Sequence, residues 1–420
     1  MISQLVLALY PHLLIQGILF RDEFGDGALL GIVLENAQQK FRDAVFPPTT
    51  ANQERAYIAL LDSLETLSRN GITSVSDAGG FWRQAQIEAW TRALNEDKLT
   101  VRASNALYIY PDEPLDSQLP KLKERFNNDK NSLLRFNQAK IYVDGILSLH
   151  TSALYEAYEG SDLLPAEELG FEYFENLNDI SKQLVDEGFQ LHFHVTGDRG
   201  AGIALDAIEN LGGGDLNSSS GPSRLTHCYL IDEVDRSRFA DLGAIADFQV
   251  APSSFGEEYR NSLKGTIGTT RESQLLPALE IHNAGGIVTL SSDWDADSLS
   301  PLVKLETALT KPVSGKPFPD LETVIPMLTI NSAILLQQED RTGSIEVGKF
   351  ADLVVLDTNI FDIPVNEISK TKVVTTILQG KITHGKGAAT SSSYQLLSLA
   401  QFSLTMATSW IVADLFKMMM

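Results

Sequence analysis

Residues 190–198 read QLHFHVTGD, and an amphipathic pattern follows from Arg199 to Asn210. An apolar run that gives way to a glycine and then to a helical repeat predicts a strand, a short loop and a helix. His194 stands near the carboxyl end of the predicted strand. The stretch therefore predicts one strand–helix unit of a parallel sheet, with a polar side chain where the strand ends.

The same unit recurs on both sides of this stretch, which predicts an α/β fold. The further strand candidates are Ile72–Asp77, Val101–Ile109, Ala139–Gly145, Arg224–Ile231, Ala244–Ala251 and Ile287–Asp293. Amphipathic helices are predicted at Asn52–Arg69, Phe171–Glu187, Glu272–Asn283 and Pro301–Leu309. Seven strands in this order indicate a TIM-like (β/α)8 barrel whose first strand is missing, because a closed barrel has eight.

The pattern changes after residue 340. A strand is predicted at Asp352–Asp357, and Val373–Ile382 is typical of a hairpin with Gln379-Gly380 at its turn. We therefore expect a barrel at 1–340, a small flanking β-sandwich remnant at 341–386 and a tail at 387–420. The tail carries no charge from Ser391 to Ala413 and is expected to be disordered or a docked helix, with a membrane anchor as the alternative.

Charge and composition exclude several classes of partner. The 420 residues include 55 acidic and 33 basic side chains, a net charge of −22. Nucleic acid and anionic membranes require basic patches, so neither is an expected partner. Cys228 is the only cysteine, which excludes an intrachain disulfide and a cysteine-based zinc site. The N-terminus lacks the basic segment of a signal peptide, so a cytoplasmic location is the default.

Polar side chains stand at three predicted strand ends, and a lysine lies inside a fourth strand. His194, His227 and Asp293 each follow an apolar run, and Lys140 interrupts another. The carboxyl ends of parallel strands meet on one face of a barrel, where such barrels perform chemistry. Imidazole and carboxylate are common zinc ligands, so the pattern predicts a metal-dependent hydrolase.

The order of these strings resembles a known family. Gly343–Asp357 (GSIEVGKFADLVVLD) is similar to the segment that returns the chain from barrel to β-sandwich in the amidohydrolase superfamily. The strings Gly71–Val75, Lys140–Gly145, His194–Asp198, His227 and Ser292-Asp293 resemble the amidohydrolase-3 branch, which includes N-substituted formamide deformylases and exoenzyme regulatory proteins. The resemblance extends from about Arg21 to Gly385.

The resemblance implies a distorted barrel that hydrolyses carbon–nitrogen bonds other than peptide bonds with a divalent metal, usually zinc. The family pattern opens with His-x-His on the first strand. Here Arg21–Asn36 is already similar to a segment well downstream of that pair, so the N-terminal part of the pattern is missing. His12 has no histidine two residues away and does not replace the pair.

The resemblance also implies roles for single residues. Lys140, His194, His227 and Asp293 match metal ligands, and Asp293 matches the catalytic proton acceptor. In many relatives the matching lysine is carbamylated; the alternative is a salt bridge from Lys140 to Asp144 or Asp77. The two histidines could otherwise be hydrogen-bonded core residues, and Asp293 could be a loop or capping residue.

Five further residues are candidates for contact with substrate or for support of the ligands. His192 lies two residues before His194 and so faces the same side of the sheet, one layer deeper. Asp198 and Arg199 could orient a ligand or bind substrate, or could cap the following helix. Asp144 and His150 complete the set.

These observations lead to two readings. The first is a hydrolase for a small amide-type substrate, in which a metal activates water. The alternative is a catalytically impaired pseudoenzyme or binding protein on the same barrel, because the first-strand His-x-His is absent. An incomplete barrel exposes apolar surface and strand edges, so a homo-oligomer is also expected.

Overall fold

The computed structural model describes residues 18–21, 29–34, 36–160, 176–213, 220–294, 296–311 and 315–385. Strands β1 (Ile18–Arg21) and β2 (Leu29–Leu34) form an antiparallel pair. The main sheet then follows in chain order, each strand parallel to the last. Its strands are β3 (Ser74–Gly80), β4 (Arg102–Tyr108), β5 (Leu134–Tyr142), β6 (Gln190–Val195), β7 (Arg224–His227), β8 (Ile245–Phe248) and β9 (Ile287–Leu290).

All seven predicted strands are confirmed, and the predicted α/β barrel class with them. Each strand lies at its predicted place, although β5 begins five residues earlier than expected and β7 ends at His227. β4, β6 and β8 are buried along their whole length, as expected for strands covered by helices on one side.

Helices cover the outside of the sheet and supply most of its connections. They are Asn36–Val45, Thr50–Arg69, Gln86–Asn95, Leu115–Arg125, Leu177–Asp186, Asp198–Asn210, Arg238–Asp241, Glu257–Ser273, Ala278–Asn283, Pro301–Thr310, Leu321–Leu328 and Ile330–Leu335. Short 3-10 turns lie at Leu147–Leu149, Glu233–Asp235, Pro252–Phe255 and Val365–Lys370. Of the predicted helix Phe171–Glu187, residues 171–175 lie outside the described residues.

One helix prediction was wrong. Glu272–Asn283 is not continuous, because one helix ends at Ser273 and the next begins at Ala278. Leu276 between them has a φ of 59°, and Pro277 has no backbone N–H to donate. The residue before a proline is also driven away from helical geometry. The helix must therefore end here, although the apolar repeat of the sequence continues past this position.

The main sheet is curled but open in the described residues. β3 and β9 are its two edges, and they pair neither with each other nor with β1 or β2. The gap between them is where an eighth strand would close a barrel.

A second, antiparallel sheet flanks the first. It consists of β10 (Leu353–Leu356), β11 (Val373–Leu378) and β12 (Lys381–His384). The predicted hairpin turn is confirmed: Gln379 and Gly380 have φ values of 51° and 78°, the geometry of a two-residue type I′ turn. A buried ion pair between Arg102 Nε and Asp352 Oδ2, 2.7 Å long, joins this sheet to β4.

The boundaries at residues 340 and 386 stay predictions, and the predicted tail at 387–420 lies outside the described residues. Within the described part of the chain, no helix is both long and apolar enough to cross a membrane.

Candidate active site

Polar side chains line the inside of the curled sheet in layers set by strand register. Lys140 on β5 lies beside His192 on β6, and His192 lies beside Arg224 on β7. One layer nearer the strand ends, His194 lies beside Thr226. Both layers border a cavity of about 1720 Å³, which also reaches the gap between β3 and β9. The carboxyl ends of the strands therefore open onto one chamber.

His194 and His227 come together at the strand ends. Their ring centroids are 4.3 Å apart. His194 Nε2 lies 3.0 Å from the carbonyl oxygen of Gly145, so this nitrogen carries the proton that it donates. Its Nδ1 is then an unprotonated acceptor, and it is buried without a hydrogen-bond partner among the described residues. Such a nitrogen beside a second imidazole can bind a metal.

Backbone geometry brings His227 to this place. Thr226 faces the interior, where its hydroxyl donates to Asp247 over 2.6 Å. Strict alternation would turn His227 to the other face of the sheet, but its φ of 78° breaks the alternation. Positive φ is uncommon in non-glycine residues and concentrates at functional sites. The strained turn directs the imidazole to His194.

Burial keeps both imidazoles neutral. It lowers the pKa of His194 to about 3 and the pKa of His227 well below its usual value. A proton on Lys140 would lower the pKa of both imidazoles further. Neutral imidazole is the form that binds metals.

Lys140 is a buried amine whose protonation state follows from its hydrogen bonds. Arg224 Nη2 can only donate, and it lies 2.7 Å from His192 Nδ1. A neutral His192 therefore carries its proton on Nε2, which lies 3.1 Å from Lys140 Nζ. Lys140 must accept this bond through a lone pair. Burial, followed by the charge of Arg224, lowers the pKa of Lys140 to about 7, in agreement with a neutral amine.

The structure places Asp293 at the mouth of the cavity. It is exposed, has a φ of 49° and borders the same chamber as Lys140. Its negative charge raises the pKa of Lys140, although less than burial lowers it. Among the described residues no three His, Cys, Asp or Glu side chains are grouped closely enough to hold a metal. The donor chemistry of the two histidines fits a metal, and a third ligand from these residue types is not in place.

Asp144 connects the ends of β5 and β6. Its carboxylate accepts hydrogen bonds from the backbone N–H groups of Thr196, Gly197 and Ala153, at 2.9, 2.7 and 3.1 Å. Neither Asp144 nor Asp77 forms a salt bridge with Lys140 in the described structure, which removes that alternative for the lysine. Asp144 fixes the loop next to His194.

The other predicted residues lie farther from the histidine pair. Asp198 opens the helix Asp198–Asn210 and accepts a hydrogen bond from the backbone of Tyr155 at 3.0 Å. Arg199 follows it and is half-buried. His150 packs on the ring of Tyr158, with 4.6 Å between centroids, and does not border the cavity.

Sequence reasoning missed two charged residues inside the barrel. Arg224 donates to Ser76 Oγ at 2.6 Å as well as to His192. Asp247 accepts hydrogen bonds from the hydroxyls of Thr226, Thr289 and Ser291. Each stands within a short apolar strand, and a charge at such a position was the signal that could have found them.

Comparison with known proteins identifies a family that most of this chain matches. Residues 12–384 match the Amidohydrolase family. The N-substituted formamide deformylase of Arthrobacter pascens is 27% identical over 267 residues, which cover 61% of this chain and 47% of that enzyme. The chain spans about half the length of the curated relatives it matches.

Solved structures share the fold. A metal-dependent hydrolase from Pyrococcus horikoshii OT3 has a TM-score of 0.64 at 17% identity, covering 86% of this chain and 69% of that one. An adenosine deaminase from Xanthomonas campestris with bound zinc has a TM-score of 0.54 at 17% identity, covering 83% and 74%.

Proposed function

Because the chain belongs to the Amidohydrolase family, we propose that it is a metal-dependent hydrolase of carbon–nitrogen bonds other than peptide bonds, acting on a small amide. The observation that carries the proposal is the unpartnered Nδ1 of His194, buried beside the ring of His227. A buried polar atom without a partner is costly, and a metal removes that cost.

We assign the divalent metal, zinc in our proposal, to His194, His227 and Lys140, with Asp293 at the mouth. When bound, such an ion supplies Lewis acidity, which polarises a carbonyl and makes water more acidic. Support for zinc comes from its preference for imidazole and from the zinc-containing neighbour.

Lys140 can supply an anionic ligand only after its neutral amine is converted to a carbamate. A neutral amine attacks carbon dioxide, a nitrogen–carbon bond forms, and a proton is released to solvent. The product is a carbamate, whose oxygens can bind a metal. The hydrogen bond from His192 supports this proposal, because it requires the amine lone pair that the reaction uses.

Asp293 is the proposed proton acceptor for the attacking water. Its carboxylate borders the chamber and is exposed, so it can exchange protons with solvent. A base within reach of the water typically accelerates hydrolysis by about 10²–10⁴-fold. His192 and Asp144 have positioning roles, since one contacts Lys140 and the other fixes the loop beside His194.

A pseudoenzyme is the second candidate. The observation that favours it is the lack, in the described part of the chain, of three grouped His, Cys, Asp or Glu ligands. In that case the barrel would bind a small amide without hydrolysing it.

The test combines metal content with turnover. The purified chain is incubated with zinc and bicarbonate, its metal is measured by elemental analysis, and hydrolysis of N-benzylformamide is followed. We expect about one ion per chain, and an Asp293→Asn variant that keeps its fold but loses about 10²–10⁴-fold in turnover. Asn tolerates the positive φ of this position, so the backbone should not change.

The matched control is Asp241→Asn, an exposed position at the end of the helix Arg238–Asp241. It should leave turnover unchanged. Zinc-loaded chain without activity on a panel of formyl and acyl amines would favour the pseudoenzyme, and chain that takes up no metal would refute the ligand set.

A further inference from the structure

Lys304 is a buried lysine that the proposed chemistry does not use. It lies in the first turns of the helix Pro301–Thr310, only 1% of its surface is exposed, and it borders the cavity. Its Nζ has no hydrogen-bond partner among the described residues. Ammonium groups are rarely buried in this way unless they are paired.

The acidic side chains near Lys304 do not neutralise it directly. Asp297 accepts hydrogen bonds from the hydroxyl of Ser253 and from the backbone of Ser298. Neither Asp297 nor Asp293 forms an ion pair with Lys304 in the described structure, although the charges of both raise its pKa against the larger effect of burial. The ammonium is thus close to negative charge but without a direct contact.

Two other basic side chains that border the cavity, Arg224 and Lys140, differ from Lys304. Arg224 donates to Ser76, Gln138 and His192, and Lys140 shares a hydrogen bond with His192. Both are therefore held by the protein, although Arg224 Nε has no hydrogen-bond partner among the described residues. Of these three side chains, Lys304 is the one whose nitrogen forms no hydrogen bond with any described residue, so all of its donors are left for a molecule inside the cavity.

Lys304 also lies close to the residues that are proposed to hydrolyse the substrate. Side chains on a helix point toward its N-terminus, and this helix begins eleven residues after the end of β9. Lys304 therefore shares a side of the chamber with Asp293, whose charge acts on both Lys304 and Lys140. The exposed ring of Trp294 adds apolar surface at the same mouth.

We propose that Lys304 binds a carboxylate of the substrate, which makes the substrate an acidic amide, such as an N-acyl amino acid with an apolar side chain. A carboxylate supplies the acceptors that the buried ammonium lacks, in a charge-assisted hydrogen bond. The class of reaction rests on the proposed function, whereas carboxylate binding at Lys304 does not.

Direct binding tests the inference without any turnover. The probes are phenylacetate and its neutral isostere phenylacetamide, titrated into the full chain by calorimetry. We expect phenylacetate to bind at least 10-fold more tightly, and Lys304→Met to weaken its binding by about 10- to 100-fold while leaving phenylacetamide unchanged. Lys311→Met is the matched control, because Lys311 follows the same helix and is exposed.

Equal affinity of the parent chain for the two probes would overturn the inference, whatever the variants do. Equal weakening of both probes by Lys304→Met would also overturn it, since that result indicates a structural role; Lys304→Gln provides the same readout if the methionine variant does not fold. Lys304-dependent binding in a chain that hydrolyses no amide would support the carboxylate site and refute the proposed function. Hydrolysis of neutral and acidic formamides with equal kcat/KM would support the function and refute the site.

Discussion

Lys140 is a lysine whose environment in the fold differs strongly from water. It is buried against His192 and Arg224, and its pKa falls from 10.5 to about 7. An unfolded chain exposes the same amine, which then titrates near its ordinary value. The folded and unfolded states therefore bind different numbers of protons between these two pH values.

This difference predicts a pH-dependent stability. Between about pH 7 and about pH 10.5 the unfolded state holds the Lys140 proton and the folded state does not, so the free energy of unfolding rises with pH. The contribution has a slope of at most about 1.4 kcal/mol per pH unit. Urea denaturation of the parent and of Lys140→Met, from pH 6 to pH 9 without metal or bicarbonate, measures it as the difference between the two proteins. A difference that stays constant across this range would show that the lysine keeps an ordinary pKa in the fold.

Single-residue geometry also limits what the sequence could predict about the site. The strings around His194 and His227 predict two imidazoles at neighbouring strand ends. They do not predict the φ of 78° that turns His227 inward, because this angle is imposed by the loop that follows β7. Nor could they predict that His192 and Lys140 share a layer, since strand register depends on pairing partners that are 52 residues apart.

At the scale of elements, the β5 and β6 ends are held together by one carboxylate. Asp144 follows β5 and receives three backbone N–H groups, two of which lie directly after β6. Gly197 permits the close approach, because a Cβ there would lie 2.0 Å from the carbonyl oxygen of Ala153. The Thr196-Gly197-Asp198 string that follows β6 is therefore explained by the packing of this loop, in addition to any role in catalysis.

We therefore predict that Asp144→Ala destabilises the fold and misplaces His194. Three buried N–H groups would lose a charged acceptor, and hydrogen bonds to charged groups contribute about 1.5–3 kcal/mol each. We expect the free energy of unfolding to fall by about 3 kcal/mol or more in chemical denaturation. Asp232→Ala is the comparison, since Asp232 caps a short turn through one N–H and should cost only about 1 kcal/mol. Similar losses in the two variants would contradict the role assigned to Asp144.

Element prediction from the sequence succeeded where burial creates a periodic signal. All seven strands of the main sheet and the hairpin turn at Gln379-Gly380 lie where the pattern placed them. It failed at Glu272–Asn283, where the apolar repeat continues through a break caused by Pro277. Polar residues inside strands, Arg224 and Asp247 above all, were missed because their partners come from other strands and leave no local pattern.

The molecule as a whole has an open main sheet. The edges of β3 and β9 present unpaired backbone groups in the described structure, and the cavity beside them is bordered by apolar side chains such as Val75, Leu302 and Ile325. Open edges and exposed apolar surface promote association.

We predict that the isolated chain self-associates or unfolds at low denaturant concentration. Sedimentation velocity over a range of protein concentrations should show species larger than the 46.1 kDa monomer, or urea unfolding should have an early midpoint. A compact monomer that unfolds cooperatively at high urea would refute this expectation, and would mean that the gap is covered by residues of the chain itself.

The order of the strands in the main sheet has a consequence for folding during synthesis. Each strand from β3 to β9 pairs with the strand that precedes it in the chain, so every new strand can dock as it leaves the ribosome. Such sequential pairing closes only the connection between two consecutive strands at each step, which limits its entropic cost. The ion pair between Arg102 and Asp352 is an exception, since it joins residues 250 positions apart. The flanking sheet can therefore dock on β4 only after Asp352 has been synthesised.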